Sequence, residues 1–290
     1  MNNDDVNKVP KNVSTVIDLL DDHGISWAEY QEDMPYTGFE GKQYLNSQGA
    51  NDYVRKHNPA VIYDANALIP DRLAKMKNLT YFYKDLAEDK LPQWMFITPN
   101  MTSDGHDTDV TTAGKWTRNF LEPLLIDSKF MKRTLVLITF DENHTYTEQN
   151  RVLGILLGDA VPQNLVGTTD TAYYNHYSEI STVQSNWGLD TLGRWDVGAN
   201  VFSFVGGTQE KVREWKASPG LSQMYFNSSY AGIFNSKKKK AVPPPNTSAE
   251  YAGRTVLPKI IDTWGSSGQT YYTTGLEIPD GQHPPQGYST

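Results

Sequence analysis

The sequence predicts an α/β fold with a mostly parallel sheet covered by helices. Three observations carry that prediction. Residues 134–143 read TLVLITFDEN, in which Leu135, Val136, Leu137 and Ile138 are apolar without interruption; such a run suits a strand buried on both faces of a parallel sheet. Strand-like and helix-like segments also alternate along the chain, the pattern of a parallel sheet with helices on its faces. Finally, 290 residues are enough to bury a sizeable core.

The elements follow in order. Ser14 is a candidate N-cap and Gly24 a stop, so a short amphipathic helix is expected between them. Ile25 to Tyr30 reads as a strand. Residues 31–50 are rich in Gly, Pro, Asn and acids and read as a loop. Asp52 to His57 is expected as a short helix that stops before Asn58-Pro59. Residues 70–78 read as helix and Thr80 to Tyr83 as a short strand. Trp94 to Thr98 is a strand ended by Pro99, and the polar loop TPNMTSDGHDTD follows. Residues 111–126 are helical, with Trp116, Phe120 and Leu124 spaced four apart. The central strand is 134–140, and Arg151 to Leu157 is a further apolar run stopped by Gly158. Ser178 to Trp187 is a capped helix. Near residue 235 the chain changes character: four lysines at 237–240 and a Pro, Gly, Ser and Thr-rich tail, in which only Thr255 to Trp264 reads as ordered. The lysine run reads as a solvated loop.

Composition excludes several classes. A net charge of -8 argues against nucleic acid, whose phosphates require a basic surface. An aromatic content of 12% is too rich for a disordered chain. No apolar stretch reaches a membrane-spanning length. With no cysteine there is neither a disulfide framework nor a thiolate metal site. The first residues, MNNDDVNKVPKN, lack the apolar core of a signal peptide. Six Asn-X-Ser/Thr sequons begin at Asn12, Asn78, Asn100, Asn143, Asn227 and Asn246, which matter only in a secreted protein.

The candidate chemistry lies at strand ends, where open α/β sheets hold their ligands. Asp141 and Glu142 close the central strand, and adjacent hard oxygens suit a divalent cation; the alternative is an ordinary polar turn. His106 sits in the loop after a predicted strand, near Asp141 and Glu142 if the two strands are neighbours. His57 lies in Arg-Lys-His-Asn-Pro, and an imidazole with two cations makes a cradle for a phosphoryl group. A lone histidine is more often structural. For His176 capping or packing is expected, for His23 and His283 exposure, and for His144 a supporting place behind the acidic pair.

Five segments carry a family resemblance: ISWAEYQEDMP at 25–35, YVRKHNPAVIY at 53–63, TPNMTSDGHDTD at 98–109, LVLITFDEN at 135–143 and YNHYSEISTVQSNWGLDTLGRWD at 174–196. In order and spacing the chain resembles the fungal acid phosphatases of the phosphoesterase family, which also includes bacterial phospholipases C and bacterial acid phosphatases. The resemblance implies an alkaline-phosphatase-like α/β/α sandwich and hydrolysis of phosphate monoesters. It implies a divalent metal ion at Asp141 and Glu142, and phosphate contacts from His57 and His106. Bacterial relatives often carry Pro after the second histidine, where this chain has Asp107. Small phosphorylated substrates are the expected partners, and secretion or the cell wall the expected location.

Family members begin with a strand ending in a Glu-Asn pair, and a Ser or Thr segment further on supplies the nucleophile. Both would precede Ser14. The resemblance therefore implies an N-terminally truncated sandwich, a nucleophile in the missing segment, and little turnover by this chain alone. Residues 1–235 would be the catalytic-domain portion and 236–290 a polar extension. Two other readings stay open: a phospholipase C-like phosphodiesterase, and a non-catalytic secreted binding remnant.

Overall fold

Thr15, not Ser14, opens the first helix. Its hydroxyl accepts the Ile17 N–H at 3.2 Å, and Asp18 reaches back to the Thr15 N–H at 2.8 Å, so α1 (Val16–Asp22) starts with a capping box. The structure, a computed structural model, describes residues 8–145, 147–216, 242–268, 270 and 272–276. They form two compact units, residues 8–131 and the described residues from 132 onward. The expected boundary at 235/236, the lysine run, Asn227 and His283 lie outside the described residues.

The first unit is built on β1 (Trp27–Gln31), whose five residues are all buried. The next elements are β2 (Gln43–Leu45), β3 (Asn51–Val54), α2 (Asp64–Ala67), α3 (Pro70–Leu73), β4 (Met76–Asn78), α4 (Thr80–Ala87) and β5 (Trp94–Thr98). The unit closes with α5 (Val110–Leu125) and α6 (Ser128–Met131). Strands β4 and β5 flank β1, both parallel to it, with Glu29 opposite Met76 on one side and Phe96 on the other. Between them they satisfy the backbone of a strand with no access to water. The expected parallel sheet is thus found here, with three strands. Trp27, Tyr30, Leu19, Leu20, Met76 and Phe82 form its core.

Three local expectations are corrected in this unit. Asp52 to His57 is not a helix: Tyr53 and Val54, good strand formers, pair antiparallel with β2, and only Arg55–His57 makes a 3₁₀ turn. Helix in 70–78 stops at Leu73, because Met76 to Asn78 complete the pairing of β1. Thr80 to Tyr83 is the start of helix α4. Leu79, Phe82 and Asp85 are buried at a spacing of three while Tyr81 and Tyr83 face solvent, which is a helical period. The amphipathic helix α5 is as expected. Trp116 stacks on Phe120 at 5.2 Å, and Phe120 and Leu124 are buried.

The second unit contains β6 (Val136–Ile138), β7 (Ile155–Leu157), α7 (His176–Trp187), α8 (Trp195–Gly198), α9 (Ser203–Gly206) and α10 (Pro258–Trp264). Strand β6 differs from expectation. Its residues are half-buried, and it pairs antiparallel with β7. A two-stranded antiparallel pair buries one face well at most, so the continuous apolar run does not mark a strand covered on both sides. Gly158, at φ 116°, lets the chain leave β7 against the Thr134 carbonyl, which any Cβ would strike.

The core of this unit lies instead around α7, which packs on α8 and α9. Buried Asp196 accepts the Gln184 side-chain N–H at 2.8 Å and the backbone N–H groups of Leu192 at 2.7 Å and Arg194 at 2.9 Å. Helix α7 starts two residues before the expected Ser178, capped by Asn175 with Ser178 closing the box, and ends on Gly188 at φ 62°. Among the described residues no helix is long and apolar enough to cross a membrane.

Candidate active site

His57 is placed by the exit of β3. Thr98 at the end of β5 donates its hydroxyl to the His57 carbonyl at 3.5 Å. Behind it, the segment Asn58-Pro59-Ala60-Val61 is fastened to buried groups. Asn58 is fully buried; its side-chain oxygen accepts the Val61 N–H at 3.1 Å and its amide donates to the Tyr53 hydroxyl at 3.3 Å. Glu29, in the middle of β1, accepts the Ala60 N–H at 3.1 Å. Burial pushes the Glu29 carboxyl up to about 8, against the lowering effect of that bond, so the acid is largely neutral at pH 7.

Arg55 behaves differently from the expected cradle. Arg55 is buried and donates to the carbonyls of Glu40 at 3.1 Å and Val61 at 2.6 Å. It therefore shapes the loop and is not presented to a ligand. His57 itself is half-buried.

His106 is placed by a loop gripped from the end of β1. Glu32 accepts the Asn100 N–H at 2.8 Å and the Trp116 indole N–H at 2.8 Å, joining the start of the loop to helix α5. Asn100 then accepts the N–H groups of Thr102 at 3.0 Å and Ser103 at 2.7 Å, and donates to Asp33 at 2.6 Å. Gly105 adopts φ 91°, where an added Cβ would press on the Asp109 carbonyl at 3.2 Å. That turn lets Asp104 accept the His106 N–H at 2.7 Å.

These two loops meet. The His57 and His106 rings lie 6.0 Å apart, nearly edge to face at 75°. The other Asp104 oxygen lies 3.4 Å from His57 Nδ1. Two imidazoles this close offer two N–H donors to the oxygens of one phosphoryl group. Asp104, Glu32 and Glu29 are not among the site residues expected from the sequence. The Asp-Gly-His spacing is a legible turn signal for Asp104; nothing in the sequence marks Glu29 as buried.

Asp141 and Glu142 belong to the second unit. Both are exposed, and among the described residues no hydrogen bond engages either carboxylate. The segment is held by its backbone. His176 Nε2 lies 2.8 Å from the Asp141 carbonyl oxygen, and the Glu179 carboxylate, 3.3 Å from Nδ1, raises the His176 imidazole above its ordinary value. His176 is thus a fastener for the acidic turn, a closer connection than the capping role expected. Asn143 takes part in the same turn, donating its N–H to the Asn150 side chain at 2.6 Å and its amide to the Gln149 carbonyl at 3.1 Å. His144 is exposed.

Uncommitted hard carboxylate oxygens are the donor type that Mg²⁺, Ca²⁺ or Mn²⁺ takes, so the pair fits a divalent cation as part of a larger oxygen shell. Among the described residues no three His, Asp or Glu side chains gather as a ready ligand set.

The profile of the phosphoesterase family matches residues 1–190. The chain is 45% identical over 277 residues to an acid phosphatase of Aspergillus fumigatus, an alignment covering 93% of this chain and 61% of that protein. It is 46% identical over 274 residues to a phosphate-repressible acid phosphatase of Penicillium chrysogenum, covering 93% and 65%. To an acid phosphatase of Aspergillus niger it is 44% identical over 280 residues, covering 94% and 66%. The chain thus spans less than two thirds of the length of these relatives. The family match over most of the chain, together with nearly half-identical residues along 93% of it, shows that this chain belongs to the phosphoesterase family.

Proposed function

We propose that the protein is an acid phosphatase that hydrolyses phosphate monoesters. The observation that supports this most is the similarity to proteins of that name along nearly the whole chain. The arrangement of His57 and His106 supports it from the chemical side. In this reading the two histidines, as imidazolium ions, donate to the non-bridging phosphoryl oxygens and hold the group for in-line attack. Asp141 and Glu142 would hold a divalent cation, a Lewis acid when bound. His176 keeps the Asp141 turn in place. The fold that goes with this reading is the alkaline-phosphatase-like α/β/α sandwich, and the location is secreted or wall-bound. In support of secretion, Asn12 carries its sequon on an exposed turn.

The test is titration of the 290-residue chain with inorganic phosphate, followed through the imidazole resonances, alongside turnover of p-nitrophenyl phosphate at acidic pH with and without divalent cation. Phosphate is expected to move the His57 and His106 signals, and His57→Ala to abolish binding. Resonances indifferent to phosphate, or turnover indifferent to loss of both histidines, would overturn the reading.

A further inference from the structure

We propose that Asp104 is a positioning residue that fixes the tautomer of His57 while holding His106 in place. The inference rests on the reading that these two histidines bind the phosphoryl group. A carboxylate accepts hydrogen bonds and cannot donate them. One Asp104 oxygen is committed to the His106 N–H at 2.7 Å, and the other faces His57 Nδ1 at 3.4 Å. An acceptor beside Nδ1 selects the tautomer that carries its proton there, and leaves Nε2 of the neutral ring as the free nitrogen. The Asp104 side chain is 19% exposed and that of His57 28%, so the pair is partly sheltered from competing water.

The backbone on both sides is fixed independently. Thr98 holds the His57 carbonyl at 3.5 Å, and the Gly105 turn sets the distance from Asp104 to His106. One carboxylate therefore couples the orientation of one imidazole to the backbone that carries the other. The His57 ring cannot swing away without losing its contact to Asp104, and the backbone of His106 cannot move without breaking its bond to the same carboxylate.

The geometry makes Asp104→Asn a sharp probe. The amide has one oxygen and one NH₂, and the His106 N–H requires the oxygen. The NH₂ then faces His57 Nδ1, which must become an acceptor, so the tautomer inverts with the loop intact. Asp104→Ser is the second variant: its hydroxyl can still accept the His106 N–H in this type of turn, but nothing remains beside Nδ1. The readout is the ¹⁵N shifts of the His57 ring at a pH where it is neutral, in the full 290-residue chain. The unaltered protein is expected to show Nδ1–H, D104N to show Nε2–H, and D104S a mixture. Retention of Nδ1–H in both variants would overturn the proposal. If phosphate leaves both histidines of the unaltered protein unmoved, the phosphatase reading fails at this site, and the tautomer still decides the role of Asp104.

Discussion

The two histidines and the two carboxylates are held in contrasting ways. His57 and His106 stand on loops leaving a parallel sheet, and each loop is tied to buried or half-buried side chains: Asn58 and Glu29 under one, Glu32 and Asn100 under the other. Asp141 and Glu142 stand at the end of a half-buried antiparallel strand, exposed, with only their backbone fastened by His176. Side-chain anchoring is thus concentrated under the histidine loops. Donors aimed at a phosphoryl group must be in place before it arrives, because their contribution comes from not having to reorganise. Carboxylates that receive a cation can be ordered by the cation itself, whose charge outweighs the other local interactions.

The contrast can be broken first at the base of the histidine unit. Arg72 is buried and pairs with Asp18 at 3.1 Å and Asp21 at 2.8 Å, tying α3 to α1 beneath the sheet. Arg72→Ala removes the buried cation from beside Asp18 and is expected to destabilise the protein by about 3–5 kcal/mol. Urea unfolding, with near-ultraviolet signals from Trp27 as the probe, measures it; a loss below about 1 kcal/mol would mean the pair is not anchoring the unit.

A second prediction uses pH. The Glu29 carboxyl is raised from 4.5 to about 8 by burial, so the unfolded chain releases its proton more readily than the folded one. The stability that Glu29 allows is therefore full below pH 4.5 and declines as pH rises toward about 8, beyond which it levels off. Tyr53 is the ionisable neighbour, pushed upward by its own burial, and Arg55 the nearby cation. Glu29→Gln stays neutral throughout, and its stability profile is expected to be flatter across that window. Identical slopes for both proteins would show that Glu29 does not titrate on unfolding.

The carboxylate pair should respond in the opposite sense. Asp141→Ala and Glu142→Ala are each expected to change stability by less than about 0.5 kcal/mol, because both positions are exposed. Each should weaken Mn²⁺ binding, followed by calorimetric titration, by about tenfold or more. A large stability loss without any change in Mn²⁺ affinity would make the pair structural.

The smallest effects are expected at the helix caps. Thr15→Ala and Asn175→Ala each remove a capping box, one in each unit, and should cost about 1 kcal/mol. Unequal losses from these matched changes would show which unit carries the more tightly coupled helix.

Elements with local signals are legible in the amino-acid order alone. Trp94 to Thr98 is a strand with four good formers in five residues, cut off by Pro99, and 111–126 is helical because Trp116, Phe120 and Leu124 recur at the helical spacing. The placement of His106 after a strand and of Asp141 and Glu142 at the end of another was legible for the same reason: chain order alone puts them there. Tertiary structure decided the rest. Whether Thr80 to Tyr83 is strand or helix, and whether Met76 to Asn78 is helix or strand, depended on which choice buries Phe82 and completes the pairing of β1. A run of three or four residues is compatible with either period, so packing breaks the tie. The apolar run at 134–140 misled because an antiparallel pair with one sheltered face and a fully covered parallel strand share the same composition. The meeting of His57 with His106 joins residues 49 positions apart, and Asp104 acquires its second contact only when those loops close on each other. Local propensity carries no information about such long-range contacts; they follow from the burial of β1 and the loops it brings to one edge.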